Sequence, residues 1–200
     1  MDRKDAFGGA IRFDIEGVPE GYTIPSPIVV QSGIDTAKGV VHASSDAQAY
    51  GEEVWSKLTM TAHANVEGRA VEKKINTPAK IGLADKPSVT IELLPVEAHG
   101  RLVSGASHIA EMTIKPGETI RALLRVQRNG HKGEVGCDVQ NLPHGIIVDN
   151  IGLSGVRVAD GEDEREIFLT CESWVPETSR LCHAKGEGQC SLPVMLHVRR

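Results

Sequence analysis

The side chains that could do chemistry are eight histidines, four cysteines and a short run of acidic residues, so their spacing is considered first. The histidines are scattered, without the HExxH or H-x-H arrangements that bind metal ions. Ser104 and Ser107 lack the G-x-S-x-G turn that presents a nucleophilic serine, and no G-x-x-x-x-G-K-[ST] phosphate loop is present. We therefore predict a protein with no catalytic residues, no metal site and no cofactor, and the ligand-binding residues stay unknown at this point.

The four cysteines all lie in the second half of the chain, and none forms a C-x-x-C pair, which argues against a structural zinc site. Two interpretations of the thiols remain open. They are buried and pack as small apolar side chains, or Cys182 takes part in a disulfide, which requires an oxidising compartment. The residues concerned are Cys137, Cys171, Cys182 and Cys190.

The acidic run from Asp160 to Glu164 offers carboxylate oxygens of the kind that bind calcium. Asp149 and Asn150 would add ligands if the fold brought them near. The run lacks the alternating D-x-D-x-D spacing that wraps around a cation, so we favour a solvated turn over a metal loop.

An internal repeat organises the chain. Residues 10–24 align without gaps with residues 134–148, which places Asp14 on Asp138 and Gly21 on Gly145. With a changed offset, His63 falls on His183, and Glu67-Gly68 falls on Glu187-Gly188. We predict two copies of one module about 110 to 125 residues apart.

This alignment also suggests roles for the matched polar residues. Asp14 and Asp138 alternate with apolar residues and are expected to point outward, where each accepts a hydrogen bond from a neighbouring loop or from an arginine, Arg3 and Arg128 being the candidates. His63 and His183 are expected on the outward face of matching strands, either in structural roles or as a paired site.

Alternation of apolar and polar residues predicts β-strands, for example at Ile11, Phe13 and Ile15. Pro- and Gly-containing turns separate these segments, which is typical of an all-β sandwich. The one helix candidate, residues 46–57, is interrupted by Gly51 and is predicted to be a loop with a single helical turn.

The two copies differ in what precedes them. About 35 to 40 residues with three strand candidates precede Arg128, whereas two residues precede Arg3. We predict an incomplete domain at 1–78, a linker at 79–88 and a complete domain at 89–200. The open sheet edge of the first domain would be covered by the remainder of a longer polypeptide or by another chain, and Met1 would not be the native start.

The turns of both copies resemble the immunoglobulin-like modules strung along large secreted bacterial proteins. The matching segments are Gly17–Gly21, Asn141–Gly145, Asp160–Glu162 with Ile167–Cys171, and Pro193–Val198. The resemblance implies two tandem immunoglobulin-like β-sandwich domains with a structural, adhesion or spacer function outside the cytoplasm. The antibody-type Cys…Trp…Cys core is absent, and Trp55 and Trp174 are expected to cover a core edge instead.

The composition of the chain argues against two classes of partner, nucleic acids and membranes. With a net charge of −5 and a pI near 5.9, the chain lacks the basic surface that nucleic acids require. No apolar run is long enough to insert into a membrane. A carbohydrate-binding or substrate-presenting domain beside a secreted hydrolase is the alternative function, and it predicts exposed aromatic side chains on one face. Residues 97–108 and 46–54 are the loops in which we expect a ligand, if they are more than functionless excursions.

Overall fold

The computed structural model describes residues 7–78, 80–96, 109–149, 151–152 and 155–200. The chain divides into two compact units, Met1–Asp85 and Lys86–Arg200, here called unit 1 and unit 2. The prediction of an all-β fold is confirmed, because the described residues form strands throughout and a single short helix.

Unit 1 contains a four-stranded antiparallel sheet in the order β3-β1-β5-β6 and a separate pair, β2-β4. Its only described helix, α1, is one turn that begins after Gly51, as the sequence predicted. Two small clusters of buried side chains hold the unit together, one around Ile11 and Val30 and one around Tyr22 and Trp55. The elements are β1 (Ile11–Glu16), β2 (Tyr22–Thr23), β3 (Ile28–Val30), β4 (His42–Ala43), α1 (Glu52–Trp55), β5 (Thr59–Val66) and β6 (Arg69–Ile75).

Unit 2 consists of two sheets, in the orders β7-β9-β13-β11 and β8-β16-β14-β10-β12, with β15 added to β14. Neighbouring strands are antiparallel except β8 and β16, which are parallel. The strands are β7 (Val89–Pro95), β8 (Glu111–Ile114), β9 (Thr119–Arg128), β10 (Val135–Gln140), β11 (Ile146–Asp149), β12 (Val156–Val158), β13 (Glu164–Cys171), β14 (Thr178–Gly186), β15 (Gln189–Cys190) and β16 (Val194–Val198).

The core of unit 2 comes from alternate residues of both sheets. On β9 Leu124 and Val126 are buried, on β13 Ile167 and Leu169, and on β16 Leu196. All these side chains belong to one continuous cluster, so apolar residues from both sheets share a single core, as in a β-sandwich. Period-two burial of this kind is what removes apolar area from water and stabilises the unit.

The repeat seen in the sequence is also a structural repeat. β1 and β10 begin and end at matched positions, and each pairs with the strands that correspond in the other unit. The following turn closes in the same way in both copies: Tyr22 N–H donates to Pro19 C=O over 3.1 Å, and Ile146 N–H donates to Pro143 C=O over 3.0 Å. The glycine before each donor has a positive φ, 77° at Gly21 and 87° at Gly145.

The predicted equivalence of His63 and His183 is wrong in the sheet register. His63 lies opposite Arg12, whereas His183 lies opposite Gln140, which corresponds to Glu16 and not to Arg12. The hairpins do turn at matched residues, since Glu67 and Glu187 both have positive φ. The stretch before the turn differs in length, however. On β5, Ala62 pairs with β1 five residues before Glu67, whereas on β14 the equivalent pairing with β10 is made by Gly186, one residue before Glu187. His63 is therefore partly exposed, while His183 is buried, with 2% of its surface accessible.

Candidate functional site

The most exposed large apolar side chain described is Trp174, which lies in the connection between β13 and β14 of unit 2. Its neighbour Val175 is completely buried, and the backbone of this connection is fixed by Glu172 N–H, which donates to Gly145 C=O over 2.9 Å. The connection thus anchors itself in the core at Val175 and leaves 56% of Trp174 accessible.

The indole of Trp174 is held against the turn between β10 and β11. A Cβ atom at Gly145 would lie 2.7 Å from Cη2 of Trp174, so the ring lies directly on the glycine backbone. The ring of exposed His144 is centred 5.2 Å from the indole at an angle of 55°. Ile147, two residues along β11, is 51% accessible. We call Trp174, His144 and Ile147 the aromatic patch.

Hydroxyl and carboxylate groups continue from the aromatic patch across the outer side of this sheet. Thr170 lies opposite Ile147, and its hydroxyl donates to Oδ2 of Asp149 over 3.2 Å. The hydroxyls of Thr170 and Thr119 are 2.9 Å apart. The surface therefore combines a flat aromatic ring with nearby hydrogen-bonding oxygens, which suits an uncharged ligand rich in hydroxyl groups.

The expectation that both tryptophans cover a core edge is correct for Trp55 and wrong for Trp174. Trp55 is fully buried and packs edge-on against Tyr22, with ring centroids 4.9 Å apart. In unit 2 the smaller side chains of Val175 and Ile146 belong to the core, whereas Trp174 is exposed.

A second polar cluster joins β8, β14 and β16. The Ser179 hydroxyl and Nδ1 of His197 are 2.8 Å apart, and Nε2 of His197 lies 3.4 Å from a carboxylate oxygen of Glu111. Nη2 of Arg199 donates to the Ser179 oxygen over 2.8 Å. Because arginine only donates, the chain of donors can run from Arg199 through Ser179 and His197 to Glu111.

This order of donors matches the one that activates a serine nucleophile, and the sequence analysis did not find it. Ser179 and His197 are 18 residues apart and meet only because β14 and β16 pair in this register. A nucleophile also needs a cleft with donors for the developing oxyanion. Among the residues that the structure describes, the cluster lies on the outer side of the sheet with Glu111 exposed, and it links the edge strand β8 to β16.

The acidic turn at Asp160 to Glu164 is organised by an arginine. The guanidinium of Arg128 donates to the carbonyl oxygens of Gly133 at 2.6 Å, Ala159 at 2.8 Å and Glu162 at 3.0 Å. Asp160 accepts from Gly133 N–H over 3.0 Å. A cationic side chain therefore binds three carbonyl oxygens at this turn, and the preference for a solvated turn over a metal loop stays a prediction.

The prediction that Arg128 pairs with Asp138 is wrong, because Arg128 is committed to this turn. Asp138 instead accepts from the Gln140 side chain over 3.2 Å, and Asp14 pairs with Arg12 at 2.9 Å and His63 at 3.4 Å. Each aspartate bonds to a side chain two residues along its own strand or on the neighbouring strand. Arg128 lies on the other sheet of unit 2, which explains the difference.

All four cysteines are free thiols. Burial raises the pKa of Cys182 to about 12, and burial with the nearby charge of Glu187 raises the pKa of Cys137 to about 11. Cys171 is also buried, and burial raises its pKa. Cys171 and Cys182 are therefore buried as small apolar side chains, as the first of the two interpretations holds, whereas Cys137 and Cys190 are partly exposed.

One edge of the four-stranded sheet in unit 1 is β6, which is exposed along most of its length. It carries Arg69, Lys73 and Lys74, and lysines on an edge strand oppose pairing with further strands. The expected covering of an open edge by another polypeptide segment stays a prediction.

Several predictions lie outside the described residues: Arg3, Ser104, Ser107, Asn150 and the whole loop 97–108. Residues 46–54 are described, and this segment packs on unit 1 through the Tyr22 hydroxyl, which donates to Gln48 C=O over 2.8 Å. In the part of the chain that the structure describes, no three His, Cys, Asp or Glu side chains gather in a way that would hold a metal ion. No described helix has the length and apolar character needed to cross a membrane.

Comparison with known proteins adds little. No family model matches the chain, and no curated protein matches it. Among solved structures the chain is similar to domains 4 and 5 of the S-layer protein SbsC, with 14% identity and a TM-score of 0.33. The match covers 70% of this chain and 65% of that one, which is less than two thirds of its length. Similarity at this level assigns no function.

Proposed function

We propose that the chain is a non-catalytic structural module, a spacer or adhesion unit, of a larger extracytoplasmic protein, built from two immunoglobulin-like units. The observation that carries this proposal is the strand order of unit 2. The spatial order of its two sheets is similar to strands A-B-E-D and A′-G-F-C-C′ of the immunoglobulin fold, although the strand in the D position, β11, precedes the strand in the C′ position, β12, along the chain. In unit 1, β1 pairs with β3 and β5 as β10 pairs with β12 and β14, and β2 pairs with β4 as β11 pairs with β13. The extracytoplasmic location rests on the family resemblance.

A spacer must resist pulling along its length, and the parallel pair β8–β16 supports this role. The ladder between the two strands begins where Met195 N–H donates to Ala110 C=O over 2.8 Å and ends where Arg199 N–H donates to Ile114 C=O over 3.1 Å. In a parallel pair, a force on the incoming end of β8 and the outgoing end of β16 acts in opposite directions along the strands. The ladder bonds are then loaded together and must break together.

The proposal is tested by pulling single molecules in two directions. With handles at Lys86 and Arg200, unit 2 is expected to unfold at high force. With handles at Pro116 and Arg200, the same two strands are peeled apart one bond at a time, and the force is expected to be much lower. Equal, low unfolding forces in both directions would refute a load-bearing role.

The non-catalytic part of the proposal is tested separately at the Ser179 cluster. Activated esters such as p-nitrophenyl acetate are expected to be hydrolysed at the same rate by wild type and by Ser179→Ala. A Ser179-dependent rate, or an acyl group on Ser179 detected by mass spectrometry, would show that the cluster is catalytic.

A further inference from the structure

We propose that the aromatic patch of unit 2 binds a neutral polysaccharide of equatorially linked hexopyranose rings, of the β-1,4-glucan or chitin type. The apolar face of one sugar ring would lie on the indole of Trp174. The hydroxyls of the adjoining sugar would bond to the row formed by Thr170 and Asp149. This site goes beyond the structural role proposed above and does not depend on it.

The indole is suited to stacking because it is exposed and held in place. One edge rests on the Gly145 backbone, and His144 supports it from the side, so little side-chain freedom is lost when a ligand binds. In β-1,4-linked hexopyranoses the hydroxyls project around the ring edge and the C–H groups cover its faces. Such a face matches a flat apolar ring in chemistry and in shape.

The length of the surface fits a short run of sugars. Gly145 and Asp149 mark its two ends, and four residues of extended strand span about 13 Å. Ile147 lies between them with its side chain accessible, and Thr170 lies directly opposite Ile147. A disaccharide or trisaccharide placed along β11 would therefore meet the indole at one end and the hydrogen-bonding oxygens at the other.

The charges around the patch favour a neutral glycan over other partners. Glu172 is exposed beside Trp174, Asp149 closes the row, and the chain carries a net charge of −5. These charges repel uronic acid chains, sulfated glycans and nucleic acids. The patch consists of three side chains, far short of the roughly 1,000 Å² that a specific protein interface buries.

The test uses the full chain with soluble hexasaccharides of β-1,4-linked glucose and of β-1,4-linked N-acetylglucosamine as probes. Binding is measured by isothermal titration calorimetry and by tryptophan emission in the Trp55→Phe protein, where Trp174 is the only indole. A hexasaccharide is expected to shift the Trp174 emission to shorter wavelength. Trp174→Ala is expected to weaken binding at least tenfold and Ile147→Ala several-fold.

Leu192→Ala is the matched control for Ile147→Ala, because Leu192 is equally accessible at 51% and connects β15 to β16, which belong to the sheet that does not contain β11. It is expected to leave binding unchanged, and circular dichroism checks that each variant is folded. The proposal is overturned if neither hexasaccharide binds or shifts the emission, or if Trp174→Ala binds as wild type does. It is also overturned if Trp174 proves to drive self-association of the chain, since the patch would then be a protein interface.

Discussion

Replacing each tryptophan by alanine separates a structural from a surface role. Trp55 is fully buried in the small core of unit 1, and truncating a buried Trp costs about 3–5 kcal/mol of unfolding free energy. Its edge-on contact with Tyr22 places the value at the upper end. A unit of 85 residues has a total of about 4–13 kcal/mol at ordinary stabilities. Trp55→Ala is therefore expected to remove a large share of the stability of unit 1.

Two further variants make this prediction specific. Trp174→Ala is expected to cost about 2 kcal/mol, because less than half of the indole is covered, and only in the transition of unit 2. Trp55→Phe keeps a ring against Tyr22 and removes an indole N–H that is buried without a hydrogen-bond partner among the described residues, so its loss is expected to stay below about 2 kcal/mol.

Urea unfolding followed by circular dichroism, with the fluorescence of the remaining tryptophan as a local probe, measures these losses. The reasoning fails if Trp55→Ala leaves the free energy of unfolding within about 1 kcal/mol of wild type, since a fully buried indole loses more than that. It also fails if both alanine variants shift the same transition equally.

Three other predictions concern unit 2. Burial raises the pKa of Cys182 to about 12, so above pH 9 the unfolded chain loses the thiol proton before the folded chain does. The free energy of unfolding is therefore expected to fall between pH 9 and 12 by up to about 1.4 kcal/mol per pH unit. Urea unfolding of Cys182→Ala across this range is expected to show a shallower fall. Arg128→Lys is expected to lower the free energy of unfolding by about 2 kcal/mol, because lysine lacks the planar guanidinium that donates to three carbonyl oxygens. If calcium raised the melting temperature of the wild type, the assignment of the acidic turn as structural would be contradicted. Gly145→Ala is expected to destabilise unit 2 and displace Trp174, whereas Gly161→Ala, also at positive φ but with open space around it, is expected to cost only about 1–2 kcal/mol in a thermal melt.

The strands and turns were predictable because they depend on local patterns. Alternating Ile11, Phe13 and Ile15 mark β1, and the shared Pro–x–Gly turn gave the correct alignment of β1 with β10. The alternation that gives a strand one apolar face, and the glycine that allows a positive φ in a turn, can both be read directly from the sequence. The same reasoning predicted that Gly51 would limit the helix to one turn.

Register and burial were not predictable in the same way. The alignment of His63 with His183 followed the hairpin turns, which do match, but the equivalent pairing lies farther from the turn in β5 than in β14, and the two histidines face different surroundings. The Ser179–His197–Glu111 cluster depends on the pairing of three strands, one of them parallel, and sequence spacing does not specify this. Only a search for polar residues that face each other on neighbouring strands, here β14 and β16, could have found the cluster from the sequence.

The comparison of the two repeated turns bears most directly on Trp174. In unit 1 the backbone of Gly21 is covered by Ala47, whose Cα lies 2.9 Å from where a Cβ would be, and the nearby aromatic rings are interior. In unit 2 the backbone of Gly145 is covered by Trp174, although Val175 already fills the space beneath it. The fold therefore closes this turn with a methyl group in one copy, so an indole is not needed for closure in the other.

The exposed indole lies beside the ring of exposed His144, so the two form a joined apolar surface, which marks binding sites more often than single exposed side chains do. Binding at Trp174 accounts for that surface, and the comparison of Ile147→Ala with Leu192→Ala decides whether the account is correct.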